Sequence, residues 1–298
     1  MSFTGDVKAE LTENYIMSEP CQRAYTYGFL LFGKTFSARS ISCASDYECV
    51  INSFAGAIEE TLGVEPVISQ MKSGKYTLKI NSPEKRRRII EYFDHSANEI
   101  ALRIKHGIFE DDECYGAFLK GVFLACGTVS DPDKNYHMEF VVPHTMLCMD
   151  LIRILNDLDI NAKHIVRKYT NVAYIKESEN IEDMLTMMGA TESSLHIMGV
   201  KIQKDVRNKI NRQMNFEAAN MSRSIEAGLV QVRAIEKIIR IKGLGSLPDE
   251  LRELAELRLD NPDMSLKELG ANLNPPISRS GVNHRLEKIC RIADLLEE

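Results

Sequence analysis

No apolar run in these 298 residues approaches the roughly 20 that a bilayer-spanning helix requires. The longest runs, Gly28 to Gly33 and Val122 to Cys126, fall far short, and no membrane helix is expected. The opening residues Met1 to Lys8 lack the basic start and apolar stretch of a secretion signal, which leaves the cytoplasm as the expected compartment. None of the seven cysteines (Cys21, Cys43, Cys49, Cys114, Cys126, Cys148, Cys290) belongs to a C-x-x-C pair, and the count is odd. A disulfide framework and a zinc knuckle are both disfavoured, and the cysteines read as small buried hydrophobes. His144 and Cys148 stand at a metal-compatible i, i+4 spacing, but no second ligand pair accompanies them. No metal and no cofactor is expected.

What is present is ordinary for a globular protein: 44% hydrophobic and 27% charged residues, with Gly 17 and Pro 9. That composition excludes disordered and collagen-like chains, and the length gives room for two domains, or three if one is small. Charge is uneven. Residues 1–200 carry 20 Lys+Arg against 28 Asp+Glu, net −8; residues 201–245 carry 10 against 4, net +6; residues 246–298 carry 7 against 11, net −4. An acidic protein with a basic middle is no general polyanion coat, because the field of its larger part repels phosphate. Any nucleic-acid binding must use a local surface.

The first 190 residues read as a duplicated unit. Cys21 to Gly33 is a short apolar helix ending in glycine, and Tyr115 to Gly127 repeats the pattern about 93 positions later. After the first helix come a strand over Phe36 to Ala44, a helix from about Glu48 to Leu62, a hairpin of Pro66 to Met71 with Lys75 to Ile80, and a helix from Pro83 to about Phe93. After the second come strands around Tyr136 to Val142, a helix from His144 to Leu158, a hairpin of Ala162 to Lys168 with Val172 to Lys176, and a helix from about Asn180 to Met188. Chance rarely repeats such an order, and a pseudo-two-fold α+β domain follows.

From Val200 to Ile241 the pattern turns helical, basic and amide-rich, with Lys201, Lys204, Arg207, Asn211, Arg212, Asn215, Asn220 and Arg223. A charge-rich stretch of this kind is usually a solvated linker helix. Gly243 to Pro248 breaks it. Short capped helices follow. Leu251, Leu254 and Ala255 stripe one that stops at Asn261-Pro262-Asp263; Ser265-Leu-Lys-Glu268 is a capping box opening a second, whose Leu266, Leu269 and Leu273 face inward. After the turn at Asn274-Pro275-Pro276, Ser278 is the natural N-cap of a third helix with Val282, Leu286 and Ile289 as its buried edge. No heptad seam or exposed apolar stripe demands a dimer.

The opposite face of that last helix holds Arg279, Ser280, Asn283, His284, Lys288 and Arg291, with Arg285 beside the core edge. Arg suits guanine edges, Asn suits adenine, and basic groups suit phosphates. Residues 278–292 carry four basic groups and one acid, Glu287, inside an acidic segment. Helix, turn and basic polar helix form the helix-turn-helix layout, whose plainer alternative is a solvated surface helix.

The paired N-terminal helices resemble the two LAGLIDADG helices of homing endonucleases, over Thr26 to Lys34 and Leu119 to Gly127. In that family the penultimate residue of each motif is an Asp that holds divalent metal. Here those positions are Gly33 and Cys126, so the catalytic carboxylates have decayed and neither catalytic residues nor nuclease activity is expected. Gly28 and Gly121 keep a packing role, letting the two helices approach closely.

The decayed duplication, the Asn/Arg-rich helix and the helix-turn-helix together resemble the WhiA family of bacterial regulators over essentially the whole chain. The resemblance is carried by Ser2 to Leu11, Phe118 to Pro132, Asn211-Arg212 with Asn215 and Asn220, Leu266 to Gly270, and Pro276 to Leu286. Thr26-Tyr27, Lys34 and Cys126 depart from the pattern. The resemblance implies a non-enzymatic, sequence-specific transcriptional regulator of double-stranded DNA, cytoplasmic and nucleoid-associated. It further implies links to cell division and chromosome segregation, and to sporulation-associated gene control in some lineages.

The expected organisation is a degenerate LAGLIDADG-like saddle over 1–195, with repeats at about 20–95 and 114–190. A basic linker helix over 196–222 and an all-α helix-turn-helix domain over 223–298 follow. Expected DNA-binding residues are Ser278, Arg279, Ser280, Asn283, His284, Arg285, Lys288 and Arg291, with linker contacts to DNA or between domains from Asn211, Arg212, Asn215 and Asn220. A second reading makes the saddle a module that recruits a transcription or cell-division protein or binds an effector, its state passed on by the linker helix.

Overall fold

The computed structural model describes residues 2–13, 17–97, 99 and 101–296, and divides into two compact units, Met1–Gln203 and Lys204–Glu298. The first unit opens with α1 (Phe3–Glu13) and α2 (Glu19–Leu31), followed by strands β1 (Thr35–Phe36) and β2 (Ile41–Ser45). Next come α3 (Glu48–Leu62), β3 (Val67–Gln70), β4 (Tyr76–Lys79) and α4 (Pro83–Tyr92). The same order then recurs as α5 (Glu113–Cys126), β5 (Gly127–Val129), β6 (Met138–Val142), α6 (Thr145–Asp157), β7 (Lys163–Arg167), β8 (Thr170–Ile175) and α7 (Ser178–Met188). The antiparallel sheets have orders β1-β2-β4-β3 and β5-β6-β8-β7, the same path traced twice. The α+β duplication expected from the sequence is therefore the fold.

Two details differ from the sequence reading. The single strand expected over Phe36 to Ala44 is a hairpin, because Ser37 and Ser40 close a turn through reciprocal backbone hydrogen bonds of 2.9 and 3.1 Å. Its counterpart β5 was missed, since three residues are too few to show an alternating pattern.

The centre of the unit is the crossing of α2 and α5. A Cβ placed on Gly28 would lie 2.4 Å from the Phe118 carbonyl oxygen, and one on Gly121 would lie 2.2 Å from that of Tyr25. Only glycine permits that approach. Around it pack the fully buried rings of Tyr25, Tyr27, Phe54, Phe118, Phe123 and Phe140, each contributing about 1.5–3 kcal/mol by burial. The segment between the repeats is pinned by Arg103, whose guanidinium donates to both carboxylate oxygens of the buried Asp150 at 2.6 and 2.7 Å. Tyr27 Oη accepts from the Lys105 N–H at 2.9 Å in the same segment.

The cysteines only partly match their expected role. Cys21, Cys43, Cys114 and Cys148 are buried and Cys126 and Cys290 partly so, but Cys49 is exposed. Position Cys49 lies in the first turn of α3, on the face turned away from Val50, Ile51 and Phe54.

α8 (Thr191–Lys242) is one uninterrupted helix that begins in the first unit and ends in the second. It contains all of 196–222 together with 223–242. It also exposes Met198, Ile202, Val206, Ile210 and Met214. This corrects the expectation of no exposed apolar stripe. A spacing of four drifts around the helix and escapes a search for heptads.

The second unit packs the C-terminal part of α8 against α9 (Asp249–Asp260), α10 (Leu266–Ala271) and α11 (Arg279–Asp294). Its core contains the residues striped in the sequence, Leu251, Leu254, Ala255, Leu269, Leu273, Val282, Leu286 and Ile289, with Leu266 partly buried against them. It adds Ile235, Ile238, Leu247 and Ala293, which the sequence reading did not single out. The capping box is present: Ser265 Oγ accepts from the Glu268 N–H and Glu268 accepts from the Ser265 N–H. Ser278 caps α11 by accepting from the Gly281 N–H at 3.2 Å.

Candidate nucleic-acid interface

α11 owes its orientation to burial on one side. Val282, Leu286 and Ile289 are at most 1% exposed, so the residues between them must face outward. Gly270 seats the turn that leads into the helix: a Cβ there would lie 2.3 Å from the Ile277 carbonyl oxygen. The outward face presents Arg279, Ser280, Asn283, His284, Lys288 and Arg291, all exposed, with Ser278 at its head.

The neighbours of these side chains differ. Arg279 and Lys288 have no carboxylate partner among the described residues. The Asn283 amide donates to Glu287 Oε1 at 2.8 Å, and Arg291 stands 4.0 Å from the same carboxylate. Arg285 is partly buried and ion-paired with Glu250 at 2.9 Å on α9. Exposed ion pairs of this kind are worth at most about 1 kcal/mol and are screened by salt, so Glu287 is a weak brake on Asn283 and Arg291.

Of the four α8 residues expected to contact DNA or the other domain, only Asn220 lines a concavity that this helix shares. Asn211, Arg212 and Asn215 are exposed but do not line the same concavity. That concavity, about 670 Å³, is walled by Asn220 and Arg223 of α8, Arg258 of α9, Lys267 of α10, and Arg279 and Asn283 of α11. Arg258 and Lys267 were not singled out from sequence. Each sits alone among acidic or apolar neighbours, and no local pattern marks it.

The decayed catalytic positions lie in the first unit. A Cβ on Gly33 would stand 2.6 Å from Cys43 Sγ and 3.2 Å from the Phe29 and Ser42 carbonyl oxygens, so a side chain enters there only by pushing the buried Cys43 thiol aside. Cys126 is partly buried, and burial pushes its thiol up to about 12 despite the opposing charge of Lys8. The Lys8 ammonium is itself buried, donates to the Leu124 carbonyl at 3.1 Å, and is lowered to about 8 by desolvation. A glycine without a ligand atom, a neutral thiol and a buried cation do not fit the divalent metal of the homing-endonuclease scheme. Among the described residues one group brings three metal-capable side chains together: buried Cys21 and Cys114, with sulfurs 3.9 Å apart, and exposed Asp111, which caps the Cys114 N–H. His144, by contrast, stands at the N-cap position of α6 above the buried Cys148.

Two family models match the chain: the WhiA LAGLIDADG-like domain over residues 115–207 and the WhiA C-terminal HTH domain over 210–293. A protein of Lachnoclostridium phytofermentans, named probable cell division protein WhiA, is 36% identical over 313 residues, covering 100% of both chains. A relative of the same name from Clostridium botulinum is 46% identical over 195 residues, 65% of this chain, and the chain spans only 62% of that relative's length. The crystal structure of full-length DUF199/WhiA from Thermatoga maritima covers 100% of both chains at 25% identity with a TM-score of 0.61.

Proposed function

The chain belongs to the WhiA family, and from that premise we propose that it is a sequence-specific, double-stranded-DNA-binding transcriptional regulator acting in cell division, without nuclease activity. The observation that carries this reading is the outward face of α11, where Arg279, Ser280, Asn283 and His284 are exposed over the N-terminal half of a helix fixed by its buried opposite edge. In helix-turn-helix proteins that half of the second helix meets base edges in the major groove, while more distal cations meet phosphates. Lys288 and Arg291 occupy those distal positions. Arg285, already held by Glu250, contributes to the phosphates only by giving up that pair.

The absence of nuclease activity is supported by Gly33 and Cys126, which offer no carboxylate to a hard cation. The tie to cell division comes from the names of the relatives; chromosome segregation, and sporulation-associated gene control in some lineages, extend it by family resemblance. A nucleoid-associated location follows from the DNA-binding reading of α11; separately, no helix among the described residues is long and apolar enough to cross a membrane. The test is selection of sheared genomic DNA by the purified protein at about 150 mM salt, beside an Arg279→Ala/Asn283→Ala double variant. Discrete enriched sites that vanish in the variant are expected; equal enrichment by both proteins would overturn the assignment of α11.

A further inference from the structure

The concavity beside α11 has four cationic side chains in its wall, Arg223, Arg258, Lys267 and Arg279, and no carboxylate. Its surroundings make that unusual: residues 246–298 are net −4, and elsewhere in the same unit Arg252, Arg285 and Arg291 each stand beside an acid. Among the described residues Arg223, Lys267 and Arg279 have no carboxylate partner. Like charges gathered without counter-ions repel one another, so the arrangement is stabilised when an anion enters.

A buried cation bordering the trough points the same way. Arg258 is 3% exposed; its Nη1 donates to the carbonyls of Pro262 and Met264, and its Nε has no partner. No carboxylate lies within hydrogen-bonding reach of it, and Asp263 acts only through space. Gln231, 9% exposed on the α8 wall, has a buried Oε1 with no partner, an acceptor that calls for a donor and adds nothing toward an anion. A guanidinium buried without a carboxylate is costly unless a further negative charge compensates it.

The α8 wall is held in place by close packing. A Cβ on Gly228 would lie 2.9 Å from the Pro262 carbonyl oxygen, and Ile235 and Ile238 are fully buried two and three turns further on.

We propose that this trough binds the phosphodiester backbone of the DNA, with Arg223 and Lys267 on opposite walls contacting phosphates and Asn220 donating beside them. The inference rests on the DNA-binding reading of α11 and deepens it: the helix joining the units becomes a third DNA-contacting element. Arg279 and Asn283 belong both to the trough and to the base-facing half of α11, so a strand lying in the trough continues onto the recognition helix. At about 670 Å³ and open to solvent, the trough suits a run of backbone better than a single small anion. A free nucleotide shares the phosphate chemistry, and the test separates the two sources.

The full-length protein and its Arg223→Ala, Lys267→Ala and Asn283→Ala variants would be titrated against a duplex selected by the wild type and against a scrambled duplex, from 50 to 200 mM salt, with circular dichroism confirming the fold. Arg223 and Lys267 are exposed, so folding survives their loss. Each of these two substitutions should weaken both duplexes alike and reduce the salt slope by about 0.9, which is roughly a 3-fold difference over that salt range. Arg223→Lys should restore most of the slope. Asn283→Ala should instead lower only the preference for the selected duplex. Slopes unchanged by both Arg223→Ala and Lys267→Ala, while Asn283→Ala still relaxes selectivity, would overturn the trough and leave the DNA reading standing. Absence of wild-type binding to any duplex would overturn both. Tight ATP binding that needs Arg223 and Lys267, with DNA slopes unchanged, would assign the trough to a free nucleotide and overturn the backbone assignment.

Discussion

Gly28 lies against the Phe118 carbonyl and Gly121 against the Tyr25 carbonyl, so two glycines 93 positions apart make the same contact from opposite sides of one helix crossing. Each repeat supplies the gap that the other's backbone fills. The duplication visible in the sequence is thereby converted into the central contact of the first unit.

Adding a methyl group at either glycine should separate the helices. Gly28→Ala and Gly121→Ala are each expected to destabilise the protein by about 3 kcal/mol, because the clash is with backbone rather than with a movable side chain. Gly56→Ala, in mid-α3 with nothing within 4 Å of the added carbon, should instead gain up to about 1 kcal/mol from helix propensity. Urea unfolding of the three variants checks the contrast; equal effects at Gly56 and Gly121 would contradict the close crossing.

Lys8 should be a burden at neutral pH. Its folded value of about 8 lies below the ordinary 10.5, so the unfolded chain holds the proton more tightly. Between those values the unfolded state binds more protons, and stability from this group rises with pH; below about pH 8 the full cost of a buried charge is present. That net cost is about 3 kcal/mol, of which a Met substitution forgoes about 1 kcal/mol because the Leu124 carbonyl then loses its donor. Lys8→Met is therefore expected to be more stable than wild type by about 2 kcal/mol at pH 7, with the advantage shrinking toward pH 10. An advantage independent of pH would show that packing, not charge, is responsible.

Thiol reactivity should single out Cys49. Burial pushes Cys43 and Cys126 up to about 12 and Cys114 and Cys148 to about 11, leaving almost no thiolate at pH 7.5. Brief treatment of the native protein with iodoacetamide, followed by peptide mass spectrometry, should find the adduct on exposed Cys49 first. Labelling of Cys43 or Cys114 at the same rate would mean that the core opens.

On α11, two classes of substitution should separate. Asn283→Ala or Arg279→Ala is expected to cost about 1–3 kcal/mol at a selected site and relax preference at one base pair. Lys288→Ala should weaken all duplexes and lower the salt slope by about 0.9. Arg285→Ala should do less to binding than Lys288→Ala, since Arg285 is engaged with Glu250. The ordering can be read from one set of anisotropy titrations, and a larger effect at Arg285 would show that the pair opens on DNA.

The sequence by itself determined the periodic and local features. The repeat offset, the hairpin of Val67–Gln70 with Tyr76–Lys79, the caps at Ser265 and Ser278, and the inward edge of Val282, Leu286 and Ile289 depend on near neighbours and on which side of an element is apolar. A strand as short as β5 and the turn at Ser37 to Ser40 left no such period and went unread. Only the tertiary structure decided which charges are spent and which are free. Arg285 is tied to Glu250, 35 positions away, whereas Arg223, Arg258, Lys267 and Arg279 come from four helices to line one trough without an acid among them. Periodicity tells a side chain whether it faces in or out; its electrostatic partner is fixed only when distant helices pack, and that packing is what makes a scattered set of arginines and lysines into a surface.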